Sequence, residues 1–286
     1  MDVRVEEMNS EKFLGFILAF LTCLIAFLMC CLIIASATAF NSNFMTKSIQ
    51  KSAYSSLLLK EINDQFYNLA DISGVPKTVF NGLVTEDTIK NSSIKYFNTS
   101  MKSEKFTSDF DQTSIKLKSN LENYVNSVDN KNISEVDLQK NIDEFVNACT
   151  EIYNSSIEIN YVPDFGKVAF RINTFIVFVI LGLAIIYLIL MGMLIMLYRR
   201  HKTMLRFIAY SFSGLTLMLF AVPVITDILG IIPRVAINSK ALYTLSTDLL
   251  NWVISTFYIY GSIILVLVIC LVIMYITKTR TSSKEN

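Results

Sequence analysis

The 286-residue chain is 53% hydrophobic and 17% charged, with 4 prolines and 9 glycines, which excludes both a disordered segment and an ordinary soluble domain. Its 25 Lys and Arg nearly balance its 24 Asp and Glu, but neither the charged nor the apolar residues are spread evenly.

Four apolar runs stand out: Phe13 to Phe40, Ile172 to Leu197, Phe207 to Ile225 and Trp252 to Ile276. Each has about the 20 residues a helix needs to cross roughly 30 Å of hydrocarbon, where backbone polar groups must be paired within the segment. Arg199, Arg200, Lys202 and Arg206 lie in a connection too short to be a translocated domain, where the bias of positive charge toward the cytoplasm applies. Both termini, with Arg4 and Lys12 at one end and Lys278, Arg280 and Lys284 at the other, then fall inside as well. The expectation is an all-α membrane protein of the plasma membrane, with four transmembrane helices and an extracytoplasmic antiparallel helical bundle inserted between helices one and two. In chain order this gives a cytoplasmic N-terminus (1–12), helix one (13–40), the extracytoplasmic domain (41–170), helix two (171–198) and a basic cytoplasmic loop (199–206). Helix three (207–225), an extracytoplasmic connection (226–251), helix four (252–276) and a cytoplasmic tail (277–286) follow.

In the first run, "ASATA" at residues 35–39 offers small residues at signal-cleavage spacing. The 22 apolar residues from Phe13 to Ile34 exceed the roughly 7 to 15 of a signal-peptide core, so an uncleaved anchor is expected. Gly15, Ala19, Thr22 or Cys23, Ala26 and Cys30 form a stripe of small residues that lets membrane helices approach closely. Packing within the chain accounts for the stripe, and self-association is the alternative.

From Asn41 to Gly166 the composition shifts to Asn, Ser, Lys and Asp, with apolar residues at helical spacing. One stripe, Tyr54, Leu58, Ile62, Phe66 and Leu69, reads as an outward continuation of the first membrane helix. It ends at "SGVPKTVF", where Gly74 suits a C-terminal cap and Pro76 cannot sit in a helix interior. A shorter helix is expected over Glu86 to Phe97, capped by Thr85. A second stripe, Leu117, Leu121, Tyr124, Val125 and Val128, has Asp111 or Ser114 available as cap. The third, Leu138, Ile142, Phe145, Val146, Cys149, Ile152 and Tyr153, starts at Ser134, with Asp137 in the capping-box position. The expectation is about four helices, each burying one stripe, on a stalk formed by membrane helices one and two.

The stretch "YSSLLLKEINDQFYNLADISGVPKTVF", Tyr54 to Phe80, resembles a group of four-helix membrane proteins of Gram-positive bacteria with a helical outer domain after the first span and a comparable Gly-x-Pro break. The resemblance covers this stretch and the architecture. It implies a plasma-membrane protein and carries over no functional residues.

The Asn41 to Gly166 segment holds 12 Lys, no Arg and 17 Asp plus Glu, an excess of five negative charges. An acidic face without guanidinium groups is a poor partner for nucleic acid, which is set aside. Asn-x-Ser/Thr triplets at Asn91, Asn98, Asn132 and Asn154 are expected by chance in a chain this rich in Asn and Ser. Cys23, Cys30, Cys31 and Cys270 lie in the apolar runs, leaving Cys149 alone in the domain, so no internal disulfide can hold it. An intermolecular bridge is the alternative to a buried hydrophobic role for this thiol.

His201 is the only histidine, and no Cys, Asp or Glu lies within ten residues of it. Metal ligation and proton transfer both need partners, so it reads as a solvated residue of the basic loop. In "AVPVITDILGIIPR", Pro223, Gly230 and Pro233 interrupt an apolar run that carries Asp227, with Arg234 following. A broken helix with an acid at the break is one way transporters build an ion site, and a helix ending at the interface with its Asp in water is the simpler reading. No glycine-rich phosphate loop, CxxC pair or His beside a nucleophile occurs. The pairs Glu86–Asp87 and Asp143–Glu144 point apart on a helix and read as solvated faces. No enzyme activity, cofactor or metal is therefore expected. The function expected is a non-enzymatic membrane protein whose outer domain senses, binds or scaffolds an extracytoplasmic partner, with the lipid bilayer and a protein or second copy as partners. The alternatives are a transporter subunit, on the one-plus-three helix topology of ABC-type permeases, or a channel.

Overall fold

The computed structural model describes residues 2–102, 104–128, 134–198, 201–234 and 236–284. Among the described residues the chain is helical throughout, with no strand. The helices are α1 (Asp2–Ala37), α2 (Ser42–Lys51), α3 (Tyr54–Ser73), α4 (Glu86–Met101), α5 (Asp111–Ser127), α6 (Glu135–Ile157), α7 (Val162–Leu197), α8 (His201–Leu229) and α9 (Lys240–Lys284). Short 3-10 turns occur at Lys77–Phe80 and Ile232–Arg234.

Two compact units divide the chain. One holds Met1–Phe40, Ile172–Arg234 and Leu250–Asn286; the other holds Asn41–Arg171 and Val235–Leu249. The first contains the apolar stretches of α1, α7, α8 and α9, and these four helices are long and apolar enough to cross a membrane. Large apolar side chains stay uncovered along them, with Phe175 at 67%, Phe178 at 68% and Leu188 at 67% exposure on α7 alone. Such surface is tolerable only where lipid, not water, is the solvent.

Within this unit α1 packs on α8. Cys23, Leu215 and Leu219 form a small buried cluster, and Leu18, Ala19, Leu194, Tyr198 and Phe207 form another. The Ser211 hydroxyl donates to the carbonyl of Ala19 at 3.0 Å, and Ser36 donates to Asn173 Oδ1 at 2.5 Å. Both bonds cross between helices, where a polar group facing hydrocarbon would otherwise lack a partner.

The second unit is built on the predicted stripes. Tyr54, Leu58, Ile62 and Phe66 of α3, Leu117 and Leu121 of α5, and Ile142, Cys149 and Tyr153 of α6 share one core. Thr85 caps α4 by accepting from Thr88 N, and Ser134 caps α6 by accepting from Asp137 N. Gly74 closes α3 in the left-handed region, at φ 67°, which a residue without a Cβ adopts freely.

Several boundaries differ from the sequence expectation. The first membrane helix stops at Ala37, and α2 and a break at Ser52 separate it from α3, so α3 is not its continuation. The cap position of α5 is the buried Phe110, not Asp111 or Ser114: the ring stacks on Tyr153 at 4.4 Å and fixes the helix start by packing. The helix expected over Glu86 to Phe97 runs on to Met101. Pro223 lies inside α8 without interrupting it, because the helix continues to Leu229 and ends only at Gly230, with φ 57°. α8 starts at His201, so Lys202 and Arg206 are helical and the basic connection is shorter than 199–206. The segment assigned to the 226–251 connection starts α9 and places Ala241 and Leu245 in the core of the second unit.

Candidate functional site

A concavity lies in the second unit, where the end of α3 meets α5 and α6. Val75 N donates to the carbonyl of Ala70 at 2.9 Å, tying off the helix. Pro76 then turns the chain into Lys77–Phe80, whose Phe80 stacks on Phe66 at 5.2 Å and lies 6.1 Å from Phe145. This aromatic wedge stands under a cleft of about 640 Å³ lined by Leu69, Gly74 and Val75, by Leu121, Tyr124, Val125 and Val128, and by Leu138, Ile142 and Phe145. Asn141 and Glu144 supply polar atoms to it. The volume is in the range of ligand sites, and its lining combines apolar side chains with polar groups that include Ser73, Asn141 and Glu144. Ile72 and Val136, 85% and 78% exposed, lie one and two residues in sequence from lining residues.

A second feature of this unit is Glu61 on α3. Its carboxylate accepts from the Ser239 hydroxyl at 2.8 Å and from Ala241 N at 2.9 Å, while Ser239 Oγ accepts from Leu242 N at 3.1 Å. A carboxylate and a hydroxyl thus satisfy orphan N–H groups at the start of α9. The core also encloses Tyr54, Tyr153 and Cys149. The Tyr153 hydroxyl donates to or accepts from Ser92 Oγ at 2.9 Å. Burial pushes the Cys149 thiol up to about 12 and the Tyr54 phenol up to about 12, so both stay neutral and neither is primed as a nucleophile or base.

In the membrane unit, Asp227 sits in the last turn of α8, exposed, with its Oδ2 3.5 Å from the Tyr258 hydroxyl of α9. Thr226, Asp227, Gly230, Ile232 and Asn251 line a cleft of about 330 Å³. Pro223 is buried one turn earlier, Arg234 is exposed in the following 3-10 turn, and Pro233 belongs to the same turn. Among the described residues no three His, Cys, Asp or Glu side chains converge on a common point.

Of the small-residue stripe, Gly15, Ala19 and Cys23 are buried and Ala26 is half-buried, all against neighbours in the same chain. A Cβ at Gly15 would lie 2.1 Å from the Tyr198 hydroxyl oxygen, and one at Gly214 would lie 2.9 Å from Cys23 Sγ. Arg206 is exposed and lies over the rings of Phe207 and Tyr210, at 5.6 and 5.7 Å. Arg199 and Arg200 lie outside the described residues, and of Lys202 only its place in α8 is described.

Glu61 and Ser239 were not singled out in the sequence. Ala241, Leu245 and Leu249 at i, i+4, i+8, preceded by Ser239, carry the signal of a capped amphipathic helix.

Together these features define an all-helical protein whose four apolar helices are compatible with multi-pass membrane insertion. No protein-family model matches the sequence, no curated protein is detectably similar to it, and no solved structure matches its fold.

Proposed function

We propose that this is a non-enzymatic, multi-pass plasma-membrane protein whose helical domain lies outside the cell and binds a protein partner through the cleft between α3, α5 and α6. The observation that carries this reading is that cleft, about 640 Å³ and lined by apolar side chains together with polar groups, in a domain that also exposes Ile72 and Val136 at 85% and 78%, one and two residues in sequence from lining residues. A concave surface in a domain that leaves large apolar side chains exposed marks an interaction site more than a stability feature. The acidic excess of the domain favours a partner with a basic rim.

A photo-crosslinking residue placed at Ile72 or Val136 in intact cells tests the proposal, with Ile115 as control. Ile115 is 70% exposed and lies about 9 Å along α5 from Leu121, the nearest lining residue of that helix. Adducts of one defined mass at Ile72 and Val136 and none at Ile115 support the proposal. Equal labelling at all three, or none at any, overturns it.

The cleft at Asp227 favours a second reading, a component of a transporter or channel, because it groups a carboxylate with hydroxyl and amide oxygens at the end of a span. Ion flux into vesicles containing the purified protein, lost on Asp227→Asn, would establish it. Flux absent from both proteins removes it.

A further inference from the structure

We propose that the membrane unit carries a specific phospholipid site, with the guanidinium of Arg206 holding the anionic headgroup and the groove between α1 and α8 holding an acyl chain.

Two independent features meet at Tyr210. The first is the placement of Arg206, which is exposed and lies 5.7 Å from the Tyr210 ring centroid and 5.6 Å from that of Phe207. Phe207 is itself fixed, 1% exposed and 4.6 Å from the ring of Tyr198. The aromatic faces therefore hold the planar cation without using its N–H groups, which stay free for a planar anionic partner. Among the described residues no carboxylate pairs with Arg206, and the sequence from Phe165 to Thr226 contains no Asp or Glu at all. Arg206 thus stands at the end of an apolar span, beside Arg199, Arg200 and Lys202 in sequence.

The second feature is the groove. Phe16, Ala19 and Phe20 of α1 and Tyr210, Gly214 and Leu217 of α8 enclose about 250 Å³ with almost no polar surface. Its outer walls face the surroundings, with Phe16 62% and Leu217 73% exposed, and Phe16 and Tyr210 approach at 6.4 Å. The groove is open because Gly214 has no side chain and Ala19 has only a methyl. Tyr210 belongs to both features: its face lies under the guanidinium and it also lines the groove. A cation next to a strip of hydrocarbon-lined space matches a molecule that is anionic at one end and aliphatic at the other. A soluble phosphate would meet the cation and leave the groove empty. A neutral aliphatic chain would do the reverse. A glycerophospholipid with net negative charge satisfies both, as expected for basic side chains at a membrane surface.

The experiment is native mass spectrometry of the purified full chain, titrated with dioleoyl phosphatidylglycerol, with dioleoyl phosphatidylcholine or with inorganic phosphate. The expected result is one tightly held phosphatidylglycerol, preferred about fivefold or more over phosphatidylcholine, and not displaced by millimolar phosphate. Arg206→Gln should remove the preference. Leu217→Trp, which fills the groove from an exposed wall, should weaken both lipids while leaving helical content by circular dichroism unchanged. An unaltered preference in Arg206→Gln, unaltered lipid binding in Leu217→Trp, or displacement by phosphate alone overturns the proposal.

Discussion

The carboxylate of Glu61 on α3 accepts a hydrogen bond from the hydroxyl of Ser239 at 2.8 Å, 178 residues later in the chain. The same carboxylate accepts from Ala241 N at 2.9 Å, so one side chain replaces the water that the first turn of α9 would otherwise need. Ala241 and Leu245 follow into the core, at 0% and 4% exposure. Glu61→Ala should therefore loosen this turn before it loosens the rest of the domain. Loss of charge-assisted bonds to partly buried donors costs about 1 to 3 kcal/mol. Amide exchange at 241–245 should speed by about tenfold or more, with little change in α4. A uniform change across the domain would show that Glu61 acts only on global stability.

The stripes of α3, α5 and α6 were legible because each repeats an apolar residue every three or four positions, and the core takes the same residues: Leu58, Ile62 and Phe66; Leu117 and Leu121; Ile142, Cys149 and Tyr153. The caps at Thr85 and Ser134 and the glycine stop at Gly74 were legible for the same local reason. What escaped depends on packing across the chain. Phe110 starts α5 through a ring stack on Tyr153, a contact that no cap rule encodes. The Ser239 to Leu249 turns read as a connection in the sequence, because their short stripe lies between two far stronger apolar runs. The cleft could not be read at all, since Gly74, Leu121 and Ile142 converge only after three helices have been placed.

Gly166 and Gly15 give a graded test of close approach. A Cβ at Gly166 would lie 2.0 Å from the carbonyl oxygen of Ser100 and 2.7 Å from its carbon, both backbone atoms at the end of α4. A Cβ at Gly15 would meet the ring end of Tyr198 at 2.1 Å, a side chain rather than backbone, though one packed on Phe207 at 4.6 Å. Overpacking costs about 1 to 3 kcal/mol where neighbours adjust, and more where they cannot. Gly166→Ala should lower Tm more than Gly15→Ala. Tyr198→Leu should recover much of the Gly15→Ala loss, and no partner substitution should rescue Gly166→Ala.

Alkaline pH should unfold the domain through groups that it keeps neutral. Burial raises the Cys149 thiol from 9.0 to about 12 and the Tyr54 phenol from 10.0 to about 12. The folded state then holds protons that the unfolded chain releases, so their contribution is complete below about pH 9 and is lost as the pH climbs toward 12. Tm should be level from pH 6.5 to 8.5 and fall beyond it. Cys149→Ala should start lower, by about 1 kcal/mol for the small void, and fall less steeply above pH 9. The native thiol, 0% exposed, should resist maleimide at pH 8 and react in denaturant.

The charges of the chain predict a sidedness that labelling can test. The connection between α7 and α8 and the first turns of α8 carry Arg199, Arg200, Lys202 and Arg206, whereas the domain of α2 to α6 carries an acidic excess. A loop this short and basic is expected on the cytoplasmic side, because moving each cation across the membrane opposes both hydrocarbon and potential. The measurement is labelling of sealed cells by a membrane-impermeant thiol reagent, using Ser119→Cys on an exposed position of α5 and Thr203→Cys on α8, with Cys270 replaced. Ser119→Cys should label in intact cells and Thr203→Cys only after permeabilisation. The opposite pattern would place the domain inside the cell, and the partner sought through its cleft would then have to be a cytoplasmic one.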